Sequence, residues 1–217
     1  MNQPINYAYV ILTSIFCVII AASNLIYQKF LDINFFGQTF EVSAGLLMFP
    51  LTFVITDLIT ETYGKKAAKN TAKTSIICCL FVMLLVWISD SLPATSWSNL
   101  DDETFHRIFS TFGFVSCLSL FSNYVAQLVD IFIFAWMKDK YGNKHLWIRS
   151  NISTLAAQLI DSICIISTMG FANLLPLGKI PELITAMLLF KFIVTILSTP
   201  ILYASYYGIK LINAYKT

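Results

Sequence analysis

The chain has 217 residues, of which 57% are hydrophobic and 12% charged, and a formal net charge of +2; its mean hydropathy is +0.73. A soluble domain carries about 25% charged residues, so this composition excludes a soluble globular protein and describes an integral membrane protein of one compact unit. A basic nucleic-acid surface is excluded too, because the lysines cluster beside apolar segments, where they act as topology anchors.

Spans of about 20 apolar residues cross the hydrocarbon. Six are predicted, over about 8–27, 43–63, 74–91, 111–137, 150–171 and 183–206, giving an all-α membrane protein with a single six-helix transmembrane domain over 1–217. No Lys or Arg precedes Lys29, so the first run lacks the basic n-region of a cleaved signal and reads as a retained helix. Between the first two spans, FLDINFFGQTFEV alternates polar with apolar residues around Gly37, the pattern of a short hairpin or extended loop. After the third span, LPATSWSNLDDETF is polar and acidic and is the most loop-like stretch. The fourth span is long: it either tilts or begins as an interfacial piece near Phe105–Phe109.

Lysine and arginine placement sets the orientation. Lys65, Lys66, Lys69 and Lys73 fall in the second connection, Lys138, Lys140, Lys144 and Arg149 in the fourth, and Lys210 and Lys216 in the tail. The opposite side has Lys29, Arg107 and Lys179 with the acidic run Asp101, Asp102 and Glu103. Both termini are therefore expected to be cytoplasmic. Cys17, Cys78, Cys79, Cys117 and Cys164 all lie in apolar runs without a Cys-x-x-Cys pair, and read as buried small hydrophobes. No metal or cofactor is expected.

Several charges lie inside the spans. FPLTFVITDLITETYG (49–64) places Asp57 and Glu61 in the second half of an apolar helix. A carboxylate at mid-membrane costs roughly 2.5–3.5 kcal/mol, so three deep ones, Asp57, Asp130 and Asp161, would together cost on the order of 9 kcal/mol if charged and unpaired. SNYVAQLVD (122–130) and STLAAQLID (153–161) match at five of nine positions. Each places a Gln and an Asp three apart on one helix face: Gln127 with Asp130, and Gln158 with Asp161. Asn123 and Thr154 extend the stripes by a turn. The two spans run in opposite directions, making a small inverted repeat of the kind that builds midplane sites in transporters. Such small and polar residues are also ordinary packing glue between membrane helices, but glue does not require the aspartates.

Depth brings these groups together. Asp57 and Asp130 lie eight residues from Lys65 and Lys138, about 12 Å at 1.5 Å per residue. Asp161 lies twelve residues from Arg149, about 18 Å, and Lys191 about 12 Å from the outer end of its span, which puts Asp161 and Lys191 at one level and predicts that they pair. Glu61 is divided between a structural role, snorkelling beside Lys65, and a functional one. The three aspartates and two glutamines are expected to line one shared polar cavity. Carboxylates suit paired N–H donors, and Gln offers an acceptor and a donor; Tyr124, Phe53, Trp136 and Phe192 are available to stack on a flat ring. That combination fits a planar hydrogen-bonding heterocycle, a protonated amine or a proton relay.

Together, AASNLIYQK, FPLTFVITDLITETYG, AQLVDIFIF, WIRSNISTLAAQLIDS and FKFIVTILSTPILY, spread from Ala21 to Tyr203, resemble the queuosine-precursor transporter family, also described as vitamin-uptake-type transporters. The resemblance implies a six-helix importer of the bacterial inner membrane for 7-deazaguanine bases such as 7-cyano-7-deazaguanine or queuine, which feed tRNA modification. It points to Asn24, Asp57, Gln127, Asp130, Arg149, Gln158, Asp161 and Lys191 as substrate-binding residues, with one repeat Asp accepting two N–H groups and a Gln addressing the carbonyl. The acidic loop 92–106 has no counterpart in that pattern. One alternative is the substrate-binding subunit of an energy-coupling-factor vitamin importer, which needs small-residue docking surfaces; the first span offers only Ala21–Ala22 and Ser23. An intramembrane enzyme is disfavoured because the chain lacks His-Glu-x-x-His and Gly-x-Ser-x-Gly and places His106 and His145 in loops or at helix ends. A membrane scaffold would be indifferent to loss of the three aspartates.

Overall fold

The computed structural model describes residues 6–27, 29–35, 38–109, 114–142, 144–171 and 180–214. Helix α1 (Tyr7–Ile26) leads through strands β1 (Phe30–Phe35) and β2 (Gln38–Ser43) and a short 3-10 helix (Ala44–Met48) into α2 (Phe49–Tyr63). Then follow α3 (Lys65–Asp90), the short α4 (Asp102–Phe109), α5 (Phe114–Tyr141), α6 (Leu146–Phe171) and α7 (Ile180–Ala214).

Among the described residues, five segments are long and apolar enough to cross a membrane: Tyr7–Ile26, Ala44–Tyr63, Lys65–Asp90, Cys117–Tyr141 and Leu188–Ile209. The remaining expected span, 150–171, falls on α6, a helix of 26 residues, about 39 Å long. Arg149, Ser150, Ser153, Thr154, Gln158, Asp161 and Ser162 dilute its apolar content, and all of them are buried. Those polar groups face protein.

Helix α2 is the centre of the bundle. Every residue from Thr52 to Thr60 is buried, and α2 touches α1, α3, α5, α6 and α7. The outer helices show the reverse pattern, exposing Ile11, Ile15 and Val18 on α1, Ile77, Phe81 and Leu84 on α3, and Leu189, Ile196 and Leu197 on α7. Such an apolar exterior around a polar interior suits a lipid surround, where burying apolar groups gives helices no reason to associate. Trp136 and Phe192, considered above for ring stacking, are exposed on this outer surface, whereas Phe53 is buried. Cys17 and Cys79 are buried as expected, but Cys117 is exposed, because it lies on the outer face of α5.

Local sequence explains the joints. Pro50 sits in the first turn of α2, where its missing N–H costs nothing. Gly64 separates α2 from α3 with φ at 85°, a conformation that only glycine adopts without strain. This single residue makes the turn, so α3 begins at Lys65, well before the expected start near 74, and the lysines Lys65 to Lys73 ride on its first turns. The alternating segment forms an antiparallel hairpin with Phe30 opposite Ser43 and Phe35 opposite Gln38. Its base is tied to the end of α1 by the Ser43 hydroxyl, which donates to the Tyr27 carbonyl at 2.5 Å, and the Ala44 N–H to Lys29 carbonyl bond at 2.7 Å closes the pairing one residue beyond Phe30 and Ser43. Gly37, Lys179 and Lys216 lie outside the described residues.

The loop-like acidic stretch contains α4, which covers the piece expected near Phe105–Phe109; the residues between it and α5 lie outside the described residues. Asp101 caps it, accepting the Thr104 N–H at 2.8 Å, and hydrogen bonds from the Thr104 hydroxyl and backbone hold the Asp101 carboxyl below its ordinary range. His106 Nδ1 meets Asp90 at 2.8 Å and ties α4 to the end of α3.

All the lysine-rich turns fall at one end of the bundle. Lys138, near the end of α5, reaches Glu61 near the end of α2. Tyr63 donates to Asn6 at the start of α1, and Ile209 of α7 packs in one cluster with Leu146 of α6. The 3-10 helix approaches α1 at Gly45, where an added Cβ would collide with the Ser23 carbonyl and sit 3.2 Å from the Tyr27 Cα. Both are backbone and cannot swing aside. Gly45→Ala is expected to destabilise the protein by about 1–3 kcal/mol, read as a lower thermal midpoint in detergent.

Candidate functional site

Helices α5 and α6 are joined by a tight turn and run antiparallel, which brings the two copies of the repeat face to face. The Ser122 hydroxyl, first in one copy, donates to Asp161 Oδ1 at 2.9 Å, last in the other. At the other end of the repeat, Ser153 lies against Asp130, and the Thr154 hydroxyl donates to Asp130 Oδ1 at 3.3 Å. The copies are therefore related by a local two-fold, and antiparallel packing sends their aspartates to opposite ends. Ser122 and Asp130 are eight residues apart on α5, about 12 Å. Asp161 accordingly does not share a cavity with Asp57 and Asp130: two carboxylate clusters lie at two depths.

In the first cluster, Asp57 of α2 and Asp130 of α5 are both 0% exposed, and they are neighbours: the hydroxyl of Thr56, next to Asp57 on α2, lies 3.5 Å from Asp130 Oδ2, and Ser150 and Thr154, one turn apart on α6, bond to Asp57 and Asp130 in turn. Ser150 of α6 donates a short hydrogen bond to Asp57 Oδ2, while Asp57 Oδ1 has no hydrogen-bond partner among the described residues. The Thr56 hydroxyl approaches Asp130 Oδ2 at 3.5 Å and Gln127 Oε1 at 3.1 Å. In the second cluster, Lys191 of α7 is 2% exposed; its Nζ lies 2.9 Å from Asp161 Oδ2 and 2.9 Å from the Ser162 hydroxyl. The pairing expected from depth is present, and it offsets the cost of holding either charge away from water.

The glutamines occupy the layer between the two clusters. Gln127 Nε2 donates to the Thr52 hydroxyl of α2 at 3.1 Å. Gln158 Oε1 accepts the Thr195 hydroxyl of α7 at 3.2 Å, and its Nε2 is buried with no partner among the described residues. Beside this layer, Phe53 packs in a buried cluster with Ala126 and Ala157, the alanines that precede the two glutamines.

A third group closes the lysine-rich end. Arg149, 1% exposed, forks onto Glu61 with Nη1–Oε2 at 2.9 Å and Nη2–Oε1 at 3.3 Å. Its guanidinium lies 5.0 Å from the Phe134 ring centre. Lys138 Nζ is 3.2 Å from Glu61 Oε2 and 2.6 Å from the Glu61 carbonyl. Glu61 therefore pairs with Arg149 and Lys138; Lys65, its expected neighbour, instead lies 4.4 Å over the Phe132 ring. Asn24 stands apart from all three groups. Its Nδ2 donates to the Ile20 carbonyl at 2.8 Å, and it lines a small groove with Ala21, Cys79, Val82, Met83 and Leu120.

Sequence reasoning missed the hydroxyls. Ser122, Ser150, Ser162, Thr52, Thr56 and Thr195 all touch a carboxylate, lysine or glutamine of the site. Thr52, Thr56 and Thr60, spaced by four on α2, were the available signal for a polar stripe on the central helix.

A family profile described as "Putative vitamin uptake transporter" matches residues 43–205, which include every charged residue of the three groups. The chain belongs to this transporter family. Asn24 falls outside the matched segment, as it falls outside the clusters. The transporter is also 25% identical over 177 residues, 80% of its own chain and 74% of the relative, to the "Probable queuosine precursor transporter" of Bacillus subtilis (strain 168). No solved structure matches it.

Proposed function

We propose that this transporter imports a 7-deazaguanine base, a precursor of the modified tRNA nucleoside queuosine, across the bacterial inner membrane as a single six-helix domain. The observation that carries the reading is the similarity to the B. subtilis protein named as a probable queuosine precursor transporter. The site chemistry agrees with it. A deazaguanine presents N–H donors beside a carbonyl; the buried carboxyls accept the donors, and Gln158 Nε2, buried and without a partner among the described residues, donates to the carbonyl. Phe53 offers a ring face at the same layer, and Gln127 completes it. Arg149 and Lys191 act by holding Glu61 and Asp161 in place, and Asn24 supports α1. Opening the packed helices admits the base, as in other midplane sites between repeats. The lysine-rich end, with both termini, faces the cytoplasm by the positive-inside rule, and α6 brings the spans to six.

The test is growth of a strain that neither makes nor imports queuosine precursors, carrying this gene, with queuosine in tRNA measured at limiting external 7-cyano-7-deazaguanine or queuine. The native protein is expected to restore queuosine. Gln158→Leu, which keeps the bulk and removes the amide, is expected to lower uptake at least tenfold, in line with the 10⁴–10⁵ discrimination that polar recognition groups can reach. Absence of queuosine with either base, despite membrane expression of the native protein, overturns the substrate assignment.

A further inference from the structure

We propose that Asp57 and Asp130 form a one-proton site at the centre of the bundle, and that this proton is the ion to which transport is coupled. The coupling rests on the transporter reading above; the proton site does not.

The local two-fold carries the argument. In one half of the repeat, Asp161 of α6 faces α7, and α7 supplies a cation, Lys191 at 2.9 Å. In the other half, Asp130 of α5 faces α2, and α2 supplies a second carboxyl, Asp57. Gln158 bonds to Thr195 of α7 as Gln127 bonds to Thr52 of α2, so α7 and α2 hold equivalent places. Where one half has a counter-ion, the other has a like group, and both of its carboxyls are 0% exposed. Two adjacent buried carboxylates repel strongly; sharing a single proton removes the repulsion and makes a hydrogen bond in its place.

The surroundings leave that place open. Ser150 serves Asp57 Oδ2, and Thr154 and Thr56 serve the two oxygens of Asp130. Among the described residues no donor reaches Asp57 Oδ1, and a proton shared with Asp130 supplies one. Among the described residues, the cations of the bundle interior are already paired: Arg149 of α6 is forked onto Glu61 of α2, Lys138 of α5 shares that carboxylate, and Lys191 of α7 belongs to Asp161. The far side of α2 packs on Phe16 and Ile20 of α1 and on Ala68 and Ala72 of α3, which bring no charge. Among the described residues of the three groups, four carboxyls, Asp57, Glu61, Asp130 and Asp161, face three cations, and one proton makes the set neutral.

Charge balance gives an unusual expectation for substitution. Replacing either aspartate of the pair by asparagine removes one negative charge, so the remaining one is held as a carboxylate, accepting a hydrogen bond from the new amide. Infrared spectroscopy of the native protein in liposomes at neutral pH should show a carboxylic-acid C=O band that shifts in deuterium oxide. That band should vanish in Asp57→Asn and equally in Asp130→Asn, with the protein remaining monodisperse on extraction. Absence of the band from the native protein, or its survival in either variant, overturns the shared site. This readout requires no substrate.

Coupling is read separately in proteoliposomes with 7-cyano-7-deazaguanine. An imposed pH gradient should change the steady-state internal level for the native protein. Base entering native proteoliposomes without an imposed gradient should carry protons in, read as acidification by an entrapped pH dye. Native uptake that is indifferent to the gradient, or base entry without acidification, overturns the coupling. Absence of any uptake by the native protein overturns the substrate reading instead, and leaves the infrared result to decide the proton site.

Discussion

Lys191→Met is expected to destabilise the protein by about 3–5 kcal/mol, the usual cost of removing one partner of a buried ion pair. Asp161 is 1% exposed, and it would keep only the Ser122 hydroxyl and no counter-ion. The double variant Asp161→Asn with Lys191→Met removes both charges and is expected to recover most of the loss, because an uncharged pair has no desolvation cost to offset. Thermal midpoints in detergent for the native, single and double proteins check this. The same set separates support from recognition. If Asp161 serves only to hold α6 against α7, the double variant recovers uptake along with stability; if it accepts the substrate, stability returns without uptake. The contacts favour the first result, since Lys191 and Ser122 already occupy both of its oxygens.

Much of this arrangement was legible from the sequence, and what escaped shares one cause. Hydropathy located the membrane segments, alternation located the 30–43 hairpin, and residue spacing put Gln127 with Asp130 and Gln158 with Asp161 on single helix faces. Depth counting from the basic residues paired Asp161 with Lys191. These are properties of one chain segment at a time, or of two segments measured against a common membrane plane. The convergence of all three aspartates failed because it depends on how one helix lies against another. Antiparallel packing of the repeat separates Asp130 from Asp161 by the length of the motif itself. Glu61 failed in the same way: Lys65 four residues on was the local partner, but Arg149 and Lys138 arrive from α6 and α5. Joint positions were lost to a different effect. One glycine with positive φ is enough to turn the chain at residue 64, and a single aspartate cap is enough to start α4, so neither leaves the run of polar residues that marks a loop.

Arg149→Lys is expected to behave as a loss of function despite preserving the charge. The native guanidinium reaches both oxygens of Glu61 and lies over Phe134. An ammonium makes no planar fork and stacks less well on a ring. Lys138 does not replace it, because its side chain is 27% exposed and already divides its contacts between the Glu61 carboxylate and carbonyl. The fork joins the last turn of α2 to the first turn of α6, one turn beyond the Asp57–Ser150 hydrogen bond, and so seals the lysine-rich end of the polar core. Arg149→Lys should weaken that seal by about 1.5–3 kcal/mol, the range for a hydrogen bond to a charged group, and Arg149→Met by about 3–5 kcal/mol, since Glu61 then keeps only a partly solvated partner. The check is uptake measured together with the thermal midpoint. A fall in both, graded Lys then Met, and reversed in the Met background by Glu61→Gln, identifies a closing contact. A tenfold or greater loss of uptake at unchanged stability would instead make Arg149 a direct ligand of the substrate.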